Sequence, residues 1–297
     1  MIPPIQLSPS LIAGLAIAGL ILGLTYALMA IGLTLVYGIM KLSNFAHGEF
    51  CMIGAYATYY AFKLLGLPTI ACVPFGVAAG FAIGFIVERL LIRDIYVKKL
   101  ERPAEYGMLG TLAVSILLVN VAKEVFGPFM KSTPPLMQGR VNLYVITIGW
   151  DRLIALVIAV LALLALHIFI TRTKTGRSWR AVAQNRIGAL ITGVNIEKVC
   201  SLAYSSAGAL AALSGSLLAP VYGLFPNMGF TPLIISFVII VLGGLGSVEG
   251  SLVSAIIIGF THAFTSALLG SHYANVIMYL VLIITLIIRP TGLFGGE

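Results

Sequence analysis

In the stretch "LSNFAHGEF", residues 42–50, an amide, an imidazole and a carboxylate fall within six positions: Asn44, His47 and Glu49. Such a trio could hold an ion, pass a proton or hydrogen-bond a polar solute. Yet residues 11–40 carry no charge, and neither do residues 50–62. A lipid-facing charge costs about 2.5–3.5 kcal/mol on insertion scales, so Glu49 has to face protein, a cavity or the membrane interface. A second acid, Glu249 in "GGLGSVEGSL", has a similar setting beside Gly243, Gly244, Gly246 and Gly250. Those glycines interrupt a helix, as does Gly48 at the first site. Paired, glycine-interrupted segments in the two halves of a transporter point to its pathway. Broken backbone is tolerated at membrane depth only inside protein or beside a wet cavity. One reading makes residues 44–49 and 243–250 equivalent broken elements that line or gate a permeation path. The other makes "KLSNFAHGE" an interfacial turn, with Lys41 snorkelling, Glu49 solvated, and Asn44 and His47 capping and packing.

The elements around these residues belong to a membrane. Of 297 residues, 60% are hydrophobic and 9% charged, against about 25% charged in soluble domains. At roughly 20 residues per span the chain has room for eight to ten helices. Continuous apolar runs exclude the alternating pattern of a membrane β-barrel. The expected fold is therefore an all-α polytopic bundle with broken or re-entrant elements, one domain over residues 1–297. The start, "MIPPIQLSPS", lacks the basic n-region of a signal peptide. Cys51, Cys72 and Cys200 are scattered in apolar context and read as packed thiols. His47, His167, His262 and His272 are separated, so no metal ligand set is expected.

Net charge is +8, and its placement speaks of topology and not of nucleic acid. Arg89, Arg93, Lys98, Lys99 and Arg102 fall in residues 88–102; Arg172, Lys174, Arg177, Arg180, Arg186 and Lys198 fall in 171–198. The positive-inside rule places both segments in the cytoplasm. The uncharged "VYGLFPNMGF", residues 221–230, then lies outside, as does the loop at 126–146, and the chain ends inside near Arg289.

Residues 174–198, "KTGRSWRAVAQNRIGALITGVNIEK", are too apolar for a solvated loop and too charged for a span. Ser178 reads as an N-cap. Trp179, Val182, Ala183, Ile187, Leu190 and Ile191 then recur at helical spacing as one apolar stripe. Gly188 and Gly193 each cost a helix about 1 kcal/mol, which a flat surface approached by another backbone would explain. The segment reads either as an amphipathic helix on the inner leaflet or as a docking helix for a cytoplasmic subunit.

Here a resemblance enters. "GRSWRAVAQNRIGALITGVNI" is similar to the coupling region of ABC importer permeases, and more narrowly to the branched-chain amino acid permease family of the LivH type. Arg180, Ala181, Asn185, Ala189, Gly193, Val194 and Asn195 stand at that family's positions. The "EAA" start of the general importer loop is replaced by Ala181-Val182-Ala183, without a Glu. "LVYGIMKLSNFAHGEFCMIGAYATYY", "VLGGLGSVEGSLVSAIIIG" and the C-terminal "RPTGLFG" also resemble the family, in order, so the likeness covers nearly the whole chain. It implies a multi-pass subunit in a bacterial or archaeal cytoplasmic (inner) membrane, forming half of a translocation path. The implied substrates are leucine, isoleucine or valine, with urea, amides or other amino acids as alternatives. The implied partners are two ABC ATPase subunits, a second related permease subunit, an extracytoplasmic substrate-binding protein and the lipid bilayer, with no nucleic acid. Docking would fall to Arg177, Arg180, Ala183, Gln184, Asn185, Gly188, Ala189 and Gly193. The pathway would fall to Asn44, His47, Gly48, Glu49, Gly243, Gly244, Gly246 and Glu249.

No G-x-x-x-x-G-K-[ST] phosphate loop occurs, so ATP and Mg are expected on partner subunits, with no cofactor in this chain. No Gly-x-Ser-x-Gly or His-Glu-x-x-His occurs, and no catalytic constellation is read. The serious rival is a stand-alone ion-coupled secondary transporter or channel with Glu49 and Glu249 as ion sites, which leaves the amphipathic element unexplained.

Overall fold

The computed structural model describes residues 8–97, 101–143 and 146–295; Lys98 and Lys99 of the first basic segment lie outside them. Among the described residues twelve α-helices follow in order: α1 (Pro9–Met40), α2 (His47–Leu65), α3 (Thr69–Val87), α4 (Arg93–Val97), α5 (Pro103–Phe126), α6 (Trp150–Arg172), α7 (Lys174–Gln184), α8 (Arg186–Ile191), α9 (Ile196–Tyr222), α10 (Phe230–Gly243), α11 (Val248–Leu268) and α12 (Ser271–Ile288). A π-helical turn, Glu88–Ile92, joins α3 to α4. Strands β1 (Arg140–Leu143) and β2 (Ile146–Gly149) form an antiparallel hairpin that pairs Arg140 with Gly149. Among the described residues, α1, α3 with its continuation, α5, α6, α9, α11 and α12 are long and apolar enough to cross a membrane. The more polar α2 and the 14-residue α10 complete an all-α bundle, as expected.

Lipid gives apolar helices no solvophobic reason to associate, so close van der Waals packing of small residues does the work. On α3, Gly76, Gly80 and Gly84 fall four apart. A Cβ on Gly84 would lie 3.1 Å from the Tyr204 carbonyl of α9, and Gly80 faces Gly208 directly. The antiparallel pair α1 and α11 meets the same way: a Cβ on Gly23 would reach the Ala255 carbonyl at 2.8 Å. Hydroxyls add bonds between helices: Thr34 to Ser251 at 2.6 Å, Thr58 to Ser216 at 2.8 Å, and Ser214 donating to the Thr25 carbonyl at 2.9 Å. Helices α1 and α9 form the buried centre, while α5, α6 and α12 turn rows of apolar side chains outward.

The two ends of the bundle differ. At one, the last residue of α1, the π-helical turn, α8 and the start of α9 surround one cavity. The C-terminal turn joins them there, Leu293 N donating to the Leu242 carbonyl and Phe294 N to that of Gly243. Arg89, Arg93, Arg186 and Arg289 belong to this basic end. At the other, Lys131 pairs in a short bridge with Leu224 and its Nζ donates to the Tyr60 hydroxyl at 2.8 Å. Tyr56 stacks on Phe126 there, centroids 4.2 Å apart.

Candidate functional site: two helices that begin inside the bundle

Lys41 closes α1 in the left-handed region, φ 53. The chain then turns back into the bundle as residues 41–46 and begins α2 at His47. Its depth can be read from α1: His47 Nε2 lies 3.0 Å from the Met29 carbonyl, eleven residues before Met40 and so about 16 Å from that end of α1. A Cβ on Gly32 would lie 3.1 Å from the imidazole. Helix α2 therefore starts well inside the bundle.

A second helix starts at the same depth. After α9 ends at Tyr222, residues 223–229 descend into the bundle and α10 begins at Phe230. Its 14 residues rise only about 21 Å, short of a hydrocarbon core of about 30 Å. The two starts touch: a Cβ on Gly48 would lie 2.6 Å from the Gly229 carbonyl and 3.1 Å from Leu233 Cβ. Two helix N-termini, each carrying partial positive charge, thus converge on one point.

The polar trio surrounds that point. Asn44 and His47 are wholly buried and Glu49 is 3% exposed. This rules out the solvated interfacial turn as the arrangement here. Asn44 Oδ1 accepts from Ala46 N at 3.0 Å, so its capping role stands without the solvent. Glu49 Oε1 accepts from Ser115 of α5 at 3.0 Å, and Thr111 Oγ1, from the same helix, accepts from Phe45 N at 3.1 Å. Asn44 Nδ2, His47 Nδ1 and Glu49 Oε2 are buried without a hydrogen-bond partner among the described residues. One face of the junction is open, since Asn227, Phe230 and Thr231 are exposed.

Residues 243–250 are not the counterpart of residues 44–49. They form a tight turn at the basic end, where Gly243 packs on Gly250, and Gly244 (φ 99) and Gly246 (φ 91) adopt conformations that suit glycine. Ser247 caps α11, accepting from Gly250 N at 3.0 Å. Glu249 is exposed in the first turn of α11, where a carboxylate complements the helix dipole. The segment that does meet residues 44–49 inside the bundle is 223–230, whose "GLFPNMGF" interrupts an apolar run with Gly223, Pro226 and Gly229. Its lack of charge made it look like an external loop. Ser115, Thr111 and Met29 carry no sequence signal of their own.

The amphipathic segment also differs from its expected form. The N-cap is Thr173, whose hydroxyl accepts from Gly176 N at 3.0 Å; Ser178 sits inside α7 and donates to the Lys174 carbonyl. The helix breaks at Asn185, φ −151 and ψ 103, which ends α7 and caps α8 by accepting from Gly188 N at 2.8 Å. The single apolar stripe is split by this break. Trp179 and Val182 are buried, Trp179 edge-on to Phe169 at 5.1 Å, while Ile187, Leu190 and Ile191 on α8 are exposed. Gly188 lies under the Asn185 side chain and Gly193 turns the chain at φ 82, so their reasons are local conformation and not a flat surface. Arg177, Arg180, Gln184 and Asn185 are exposed, Ala183 and Gly188 half-buried, Ala189 buried and Gly193 exposed.

Residues 15–286 match the family model described as branched-chain amino acid transport system / permease component. The chain is 33% identical, over 93% of its length and 94% of the relative's, to the high-affinity branched-chain amino acid transport system permease protein BraD of Pseudomonas aeruginosa. It is 34% identical to LivH of Escherichia coli K12, with 93% of each chain covered, and 27% identical to LivM of the same organism over 92% of this chain and 68% of that one. No solved structure matches. The chain, a multi-pass membrane protein whose helices begin and end as described, belongs to the family of branched-chain amino acid transport system permease components.

Proposed function

We propose that this chain is the permease subunit of an ABC importer for leucine, isoleucine and valine, forming one wall of the path beside a second, related permease. The observation that carries this reading is likeness along nearly the whole chain to permeases named for that transport. The basic end is cytoplasmic, in a bacterial or archaeal inner membrane, and the C-terminus lies with it. An extracytoplasmic binding protein delivers substrate at the opposite end, and two ATPase subunits dock on α7 and α8 through Arg177, Arg180, Gln184 and Asn185 and the exposed Ile187 and Ile191.

The path runs along the open face of the α2–α10 junction. Non-helical backbone at this depth is tolerated only against protein or water, and Asn227 and Thr231 are exposed there. Neither suits lipid, so the face is covered by the second permease and the water between the two. The convergent N-termini favour a carboxylate and Glu49 favours an ammonium. Asn44, His47 and Gly48 stand with them, while Gly243, Gly244, Gly246 and Glu249 act at the cytoplasmic end as part of the turn that moves with α10 and α11. ATP-driven closure of the ATPases pushes α7, wedged against α6 and α1, and rocks the bundle around the junction.

Reconstitution of the complex purified through this chain tests the reading. ATP-dependent uptake of branched-chain amino acids, dependent on the binding protein, is the expected result. Uptake of urea or amides in preference sinks the substrate assignment, and ion-driven uptake by the chain alone sinks the importer.

A further inference from the structure

About a dozen residues' height below the junction, at the basic end, a cavity of about 480 Å³ opens between the end of α1, the π-helical turn, α8 and the first turns of α9. Among the described residues four charged side chains line it, Glu88 and Glu197 against Arg93 and Arg186. Arg93 and Glu197 form an ion pair. Met40, Leu190 and Val194 contribute apolar wall. Glu88 is set into this wall by the π-helical turn, an irregularity frequent at functional sites, and is 1% exposed. Its Oε2 has no hydrogen-bond partner among the described residues. A buried carboxylate oxygen lacking a donor is costly, and a ligand that brings an N–H removes that cost.

The charge balance selects the ligand. A simple anion meets Glu88 and Glu197, a simple cation meets Arg93 and Arg186, and either leaves the apolar wall unused. A ligand with both charges and a short hydrocarbon side chain matches all three. We propose that this cavity binds a zwitterionic aliphatic α-amino acid on the cytoplasmic side, with its ammonium toward Glu88 and its carboxylate toward Arg186. The volume falls in the range of roughly 300–1,000 Å³ typical of small-molecule sites. One wall is α8 and the turn after it, so an occupant ties the docking segment to α3 and α9. An amino acid that has accumulated inside then holds the segment in one position and slows further uptake. This consequence rests on the importer reading; the binding itself does not.

The test uses the intact importer complex in proteoliposomes energised with internal ATP and loaded with leucine at rising concentration. Radiolabelled leucine and the binding protein are supplied outside. The wild-type initial rate is expected to fall about fivefold or more, the lower range of typical coupling between sites. Glu88→Gln, which removes the buried charge, and Cys200→Phe, which fills the cavity from α9, are expected to keep their rates at every internal concentration. The pair keeps the test decisive if one variant does not assemble. Internal leucine without effect on the wild type, or equal inhibition in wild type and variant, overturns the proposal. Direct binding separates the two readings. Saturable leucine binding by the solubilised complex without binding protein, lost in Glu88→Gln, supports the site even if no uptake occurs, an outcome that sinks only the importer. Uptake without such binding sinks only the site.

Discussion

Gly48 and Gly229 are small because two backbones meet there, and the consequence can be measured. A Cβ on Gly48 would come within 2.6 Å of a carbonyl oxygen, whereas one on Gly38 would meet nothing closer than 3.7 Å. Gly48→Val is therefore expected to destabilise the protein by about 1–3 kcal/mol through overpacking and to abolish uptake. Gly38→Ala is expected to be neutral or to stabilise by up to about 1 kcal/mol, as in any helix interior. Thermal unfolding in detergent distinguishes them, and equal midpoints would mean that the junction is loose. Ser115→Ala removes the hydrogen-bond donor to Glu49 and is expected to cost about 1–3 kcal/mol by leaving a buried carboxylate unsatisfied. The Glu49→Leu, Ser115→Ala double variant is expected to lose less than the sum of its parts, because the two side chains share one interaction. Additivity in that cycle would show that the bond contributes nothing.

At the scale of elements, Asn185 is a joint. It ends α7 and caps α8, so Asn185→Ala is expected to cost about 1 kcal/mol, the usual worth of an N-cap, and to let α8 fray. In the assembled importer that leaves ATP hydrolysis running with uptake reduced, read as a lower ratio of leucine moved to phosphate released. An unchanged ratio would count against α8 as a transmitting element. Trp179→Ala attacks the other side of the joint by taking away the ring that holds α7 to Phe169 of α6, and is expected to cost about 3–5 kcal/mol as a buried aromatic truncation. The apolar spacing that marked this segment as helical was legible in the chain. The break was not, because Asn, although favoured at caps, also occurs on helix surfaces, and the φ, ψ values of Asn185 decide between them.

At the scale of the whole molecule, topology can be read by labelling. The three native cysteines are buried, so new ones report against a quiet background. Ile191→Cys, on the most exposed part of α8, is expected, in the permease stripped of its ATPases, to react only from the cytoplasmic side and Phe129→Cys only from outside; reaction of both from one side would overturn the orientation. Thr231→Cys, at the open junction face, is expected to react slowly with a water-soluble reagent at rest and faster during ATP turnover, while an ATP-independent rate would place it away from the path. Membrane residence, an all-α bundle, the basic end and the polar trio at 44–49 followed from the sequence alone, because hydrocarbon excludes unpaired charge and open backbone whatever the tertiary arrangement. The depth of that trio did not follow. Residues 44–49 could equally have ended at an interface, and the glycines at 243–250 looked like their match because composition alone cannot tell a tight terminal turn from a broken helix. What decided it was packing at long range: the Gly48–Gly229 approach joins positions 181 residues apart in the numbering, and no local pattern encodes which small residue will face which.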